Sequence, residues 1–174
     1  MDFSMSRQCL SKPTAEGLEE AFKLFGVAGA PARAPCNRIR NNCAVRMCVA
    51  LSRSMNVDVL GAYTGGMVHS GRNCMGAEKF RHISSSQELF NYLRGSLGFS
   101  FVRLNTDGPS PSGKGILFFR NCFHRARDAE GVNRGDHIDY WNGQAYTNAA
   151  TGTGAPRGRL DLFERADRVY FCRL

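Results

Sequence analysis

Residues 43–51, CAVRMCVAL, form a helix with almost no polar face. Val45, Cys48, Val49 and Leu51, with Ala44, cover most of its circumference. Such a helix has to be buried, and a sheet is the surface able to cover it. The sheet is predicted later in the chain. GILFFRNCF at 115–123 is apolar at nearly every position, as in a central strand covered on both faces. HIDYWNGQAYTN at 137–148 alternates around an Asn-Gly turn signal, and DRVYFCRL closes the chain as a last strand. Helices come first and antiparallel strands second, which makes the fold class α+β.

The helical part has two further members. TAEGLEEAFKLFGV places Leu18, Ala21, Phe22 and Phe25 at helical spacing, with Thr14 as its cap. SSSQELFNYLRGSLG starts with a serine cap followed by Glu88. Leu89, Phe90, Tyr92 and Leu93 form its apolar side, and Gly95 or Gly98 stops it. AGAPARAPCNR and NTDGPSPSGKG are loops, residues 61–83 read as a loop or irregular insertion, and GTGAPRG reads as a surface loop. The last lacks the Lys-Ser/Thr of a phosphate loop, and no helix is evident after it.

The chain has 174 residues, 43% hydrophobic and 22% charged, a size and composition expected of one domain, 1–174. No apolar run reaches the roughly 18 residues of a membrane span, so membrane insertion is not expected. The N-terminal MDFSMSRQCLSKPTAEG has no apolar core of a signal peptide, so any export is expected to use a route without a cleaved signal. The formal net charge of +8 favours an anionic partner. Its arginines are scattered, with RIR at 38–40 and HRAR at 124–127 as the densest clusters. A nucleic-acid-binding module remains a rival reading that lacks a recognition motif, so no specific nucleic acid is expected.

Seven cysteines show no CxxC pair, so neither a zinc site nor another metal or cofactor is expected. Cys122 and Cys172 lie in strand-like runs and read as core residues. Cys36 and Cys74 lie in loops and are the better disulfide candidates. Cys43 differs. It stands where the polar turn Asn41-Asn42 becomes the helix, and free N–H groups at a helix start favour a thiolate. Cys48, five residues on, is inside the helix and reads as packing. A cysteine at a helix start is more often structural than catalytic, but this one is followed in the chain by a strand histidine, His137. A thiolate attacks a carbonyl, an imidazole relays the proton, and a third polar group fixes the imidazole tautomer.

A two-residue Asn142-Gly143 turn nominates that third group. It pairs Trp141 with Gln144, Tyr140 with Ala145, Asp139 with Tyr146, Ile138 with Thr147 and His137 with Asn148. Directly paired side chains start about 4.5–5.5 Å apart, so Asn148 is the first candidate orienter. Asp139 shares the face but lies roughly 6.7 Å along the strand, and is second. Asp136 points to the opposite face. His69 and His82 fall in loop or polar contexts, and His124 sits in a basic cluster. The Cys43 N–H is the first oxyanion donor, and Asn41 or Asn42 is the place for a second. Arg46 reads as structural, with contact to a substrate carboxylate as its other role.

NNCAVRMCVAL, KGILFFRN, GDHIDYWNG, Asn148 and VYFCRL together resemble the type VI secretion amidase effectors of the fourth family, bacterial toxins of the papain-related NlpC/P60-like class. The family pattern is Asn-x-Cys-x-x-Arg-Met, met by Asn41, Cys43, Arg46 and Met47, and Gly-His-x-x-x-Trp-Asn-Gly. The resemblance runs from about Leu18 to the C-terminus. It implies a papain-like fold with the nucleophile helix on an antiparallel sheet. It implies a cysteine peptidoglycan amidase that cleaves between D-glutamate and meso-diaminopimelate in the stem peptide, with Cys43 as nucleophile and His137 as base. Secretion machinery, a cognate immunity protein and action in the periplasm of target bacteria follow from the same resemblance. Two departures stand out. Asn148 occupies a position usually held by aspartate, and Gly-Asp-His replaces Gly-His, adding Asp136 beside the base. Rival readings are a related cysteine peptidase or acyltransferase on another amide, and an inactive interaction protein that keeps the fold.

Overall fold

The computed structural model describes residues 12–26, 43–66, 68–70, 81–146 and 160–174. Thr14 starts the first helix, α1 (Ala15–Gly26), by accepting from the Gly17 N–H at 3.1 Å. Its buried face is Leu18, Ala21 and Phe22. The apolar helix is α2 (Cys43–Met55), and nine of its residues are buried. Asn56, at φ 52, ends it in the left-handed region that asparagine tolerates.

Two three-residue strands, β1 (Val68–Ser70) and β2 (Arg81–Ile83), pair antiparallel where an irregular insertion was expected. Three residues carry barely more than one alternation, so no periodicity announces them. Long-range bonds hold β2 instead. Arg81 Nε meets Asp58 Oδ2 at 2.8 Å, and the Ile83 N–H donates to Cys48 Sγ at 3.4 Å. His82 therefore lies on a strand and is buried, not in a loop.

Helix α3 (Ser86–Gly95) is capped by Ser85, whose Oγ accepts from the Glu88 N–H at 3.3 Å. It closes before Gly98, at φ 67, with Phe99 N–H donating to Leu93 O at 2.9 Å. The main sheet consists of β3 (Val102–Leu104), β4 (Gly115–Phe123), β5 (Gly135–Trp141) and β6 (Arg168–Arg173), in the order β3-β6-β4-β5, all antiparallel. A six-residue helix, α4 (Leu160–Arg165), precedes β6 where none was expected. Its sequence, LDLFER, is too short for a helical repeat to be read from it.

One sheet face carries Ile116, Phe118, Ile138, Tyr140 and Cys172 and packs under α1, α2 and α3. The other carries Leu117, Phe119, Trp141, Val169 and Phe171 and packs with Phe163 of α4. With both faces covered, β4 has little need for polar alternation, which explains its continuous apolar run. The arrangement is α+β, with the cysteine helix against the sheet, as expected. Among the described residues no helix is long and apolar enough to cross a membrane.

The Asn142-Gly143 turn differs from its expected register. Trp141 bridges Tyr146, so four residues rather than two separate the pair. The Asn142 side chain is the cause. Its Oδ1 accepts from the Gln144 N–H at 2.9 Å and the Ala145 N–H at 2.8 Å, closing an Asx-type loop. The ladder that set His137 against Asn148 starts two residues out of step. In the sheet His137 pairs with Phe119 of β4.

Candidate active site

Cys43 is the first residue of α2, and its side chain is buried. Its Sγ lies 3.1 Å from Ser86 Oγ, at the first position of α3. The His137 ring and the Ile138 N–H also lie close enough to bias its ionisation. The starts of two helices and one strand of the sheet thus meet at a single sulfur.

Burial pushes the Cys43 thiol up. The charge of His137, the hydrogen bonds from His137 and Ser86, and the Ile138 N–H outweigh it and bring the thiol down to about 7. Cys48 shows what burial does with no cation beside the sulfur. Burial is the largest cause, the Asp58 and Cys43 charges add to it, and its thiol is pushed up to about 12. Cys122 and Cys172 are also buried in the sheet with thiols pushed up, as expected of core cysteines. Cys43, Cys48, Cys122 and Cys172 are all free thiols. Cys36 and Cys74 lie outside the described residues.

His137 is 7% exposed, and Asp139 is 3% exposed. His137 Nε2 lies 3.2 Å from Asp139 Oδ2, while Asp139 Oδ1 accepts from the Tyr140 N–H at 2.8 Å. Burial pushes the imidazole down, but the Cys43 thiolate and the Asp139 carboxylate raise it well above its usual range. The charged pair, thiolate and imidazolium, is the state this environment favours.

Cys43, His137 and Asp139 are brought together, whereas Asn41, Asn42 and Asn148 lie outside the described residues. Asp136 turns away from the imidazole, and its Oδ1 accepts from the Asn121 N–H at 2.9 Å in a bulge of β4. Arg46 is half-buried one turn along α2, within electrostatic reach of Asp139 and Cys43. Ser86 and the Ile138 N–H were not picked out in the sequence. Ser86 adjoins a helix cap, and a second serine beside a capping serine is its only local trace. Among the described residues no group of His, Cys, Asp and Glu is placed to hold a metal ion. The arrangement has the parts of a nucleophile and its proton relay: an acidified sulfur, a basic ring coupled to it, and a carboxylate bonded to that ring.

No curated protein sequence matches the chain. Solved structures of type VI effector–immunity complexes share its fold. A chain of the type VI effector–immunity complex Tae4–Tai4 from Enterobacter cloacae is 17% identical, with a TM-score of 0.61, covering 94% of this chain and 99% of that one. The equivalent complex from Salmonella Typhimurium gives 15% identity and a TM-score of 0.60 over the same shares. Residues 39–171, most of the chain and all of the site just described, match the family model of the type VI secretion system amidase effector protein 4, and the chain belongs to that family, Tae4.

Proposed function

We propose that this family member is a cysteine amidase, of papain-related NlpC/P60-like mechanism, cutting the bond between D-glutamate and meso-diaminopimelate in peptidoglycan stem peptides. The observation that carries the reading is the meeting of Cys43, its thiol brought down to about 7, with His137, itself bonded to Asp139. With Nε2 held by Asp139, the Nδ1 edge of the ring serves the sulfur. The Cys43 thiolate attacks the γ-glutamyl carbonyl carbon, and the oxyanion forms beside the Cys43 N–H at the start of α2. A second donor from the region of Asn41 or Asn42 completes that cradle. The imidazolium gives its proton to the diaminopimelate nitrogen, the C–N bond breaks, and a thioester remains. Neutral His137 then takes a proton from water, which attacks the thioester, releasing the glutamyl carboxylate and restoring the thiolate. Asp139 fixes the ring in this reading, and Asn148 keeps the same role as an alternative.

The setting proposed is the periplasm of target bacteria. There a basic protein of net charge +8 is drawn to an anionic envelope. A cognate immunity protein, as in the effector–immunity complexes that share the fold, would protect the producer by covering the cleft. The test is mass spectrometry of digested sacculi. The wild type is expected to release fragments ending at D-glutamate, and Cys43→Ala to release none while keeping its circular dichroism spectrum. Full cleavage by Cys43→Ala removes the sulfur from the reaction.

A further inference from the structure

Ser86 is 6% exposed and carries a hydroxyl into the interior. A buried hydroxyl is unfavourable unless it is bonded. Helix α3 does not use it, because Ser85 is the cap and bonds the Glu88 N–H. At the first helical position an alanine would serve equally well. The Ser86 hydroxyl instead lies 3.1 Å from the Cys43 sulfur, 43 residues away in the chain. A neutral thiol is a weak partner in either direction, whereas a thiolate accepts a strong, charge-assisted bond.

We infer that Ser86 is a positioning residue for the nucleophile, its Oγ–H donating to the Cys43 thiolate and holding that sulfur, ionised, between the starts of α2 and α3. This rests on the proposed role of Cys43. Free N–H groups at the first turn of each helix act in the same direction. Among the described residues, the other charged or titratable groups within electrostatic reach of the sulfur are His137 on β5, Arg46 and Cys48 on α2, and Cys122 on β4. Asp139 acts through His137.

The consequence separates this role from a merely structural one. A bond to the thiolate increases the ionised fraction but makes each thiolate slightly less nucleophilic. Removing it therefore moves the titration of the sulfur to higher pH and leaves the alkaline plateau equal or higher. A loosened site lowers the plateau and leaves the midpoint in place.

The experiment is alkylation of the intact protein by iodoacetamide across a pH series, with Cys43→Ala giving the background of the other six cysteines. Ser86→Ala is expected to alkylate about tenfold more slowly below the titration, with an upward-shifted midpoint and no loss of plateau. Ser86→Thr, which keeps a hydroxyl, is expected to restore the wild-type midpoint. Ser86→Gly, a second deletion of the hydroxyl, is measured beside it, and circular dichroism confirms which variants are folded. An unmoved midpoint in a folded deletion variant overturns the inference, whatever its plateau. A moved midpoint alongside a wild type that releases no muropeptides supports the Ser86–thiolate bond and overturns the amidase reading.

Discussion

Cys43 and Cys48 are about one and a half turns apart on one helix. Both are buried, yet their thiols move in opposite directions, because only Cys43 has an ionic partner. The pH dependence follows with a definite sign. Below about 7 the Cys43 sulfur takes up a proton and the nucleophile is lost. Above about 10 the His137 ring gives up its proton, and the leaving amine has no acid. On the proposed mechanism kcat/KM therefore rises through the first value and falls through the second. Asp139→Ala removes one of the bonds that hold the imidazolium. The alkaline limb is expected to move to lower pH, and kcat/KM to fall by up to about 10⁴-fold, the scale of losing a ring-orienting carboxylate. An unchanged alkaline limb in a pH–rate series would transfer the orienting role to Asn148. The Cys43–His137 partnership was legible because helix start, chain order and strand were each visible. Asp139 ranks second in the sequence because spacing along a strand carries no information on side-chain reach. An imidazole and a carboxylate on one face bend toward each other and close that gap to 3.2 Å.

At the scale of elements, the feature nearest the site is the bulge of β4. Phe119 pairs with His137 and Phe123 with Gly135, so four steps on β4 run against two on β5. Asn121 takes φ 52 there, and its N–H is held by Asp136 while its Nδ2 is held by Asp167 at 2.7 Å. Bulges of this kind bend a strand and redirect neighbouring side chains. The extra aspartate of Gly-Asp-His thus secures the backbone beside the base. Asp136→Ala leaves the Asn121 N–H without that acceptor and is expected to cost about 1 kcal/mol, read as a lower urea midpoint. Three helices were legible because each spans several turns of apolar spacing and two begin with a visible cap. The β1–β2 pair and α4 were not, since three or six residues hold too little repeat to register. The error at Asn142-Gly143 was one of register and not of face. A two-residue slip keeps His137 and Asp139 on one side while changing what stands opposite.

For the whole molecule, the sheet is the wall that holds α2 and α3 together. Phe118 is fully buried at its centre, stacked on Phe90 of α3 with ring centroids 4.2 Å apart and tilted against Tyr170 of β6 at 6.2 Å. Phe118→Ala is expected to lower stability by about 3–5 kcal/mol, measured by urea unfolding. A loss under about 1 kcal/mol would show that α3 is anchored elsewhere. Tyr140 ties the same wall to α1, donating to Ala15 O at 3.1 Å and meeting Glu19 Oε2 at 3.2 Å. The sulfur between the two helix starts draws on groups that the linear chain keeps far apart. Before they assemble, Cys43 is a plain thiol near 8.5, mostly protonated at neutral pH. On the proposed mechanism a half-made copy inside the cell that synthesises it is consequently blunt, and its capacity for harm arrives only with the finished tertiary structure.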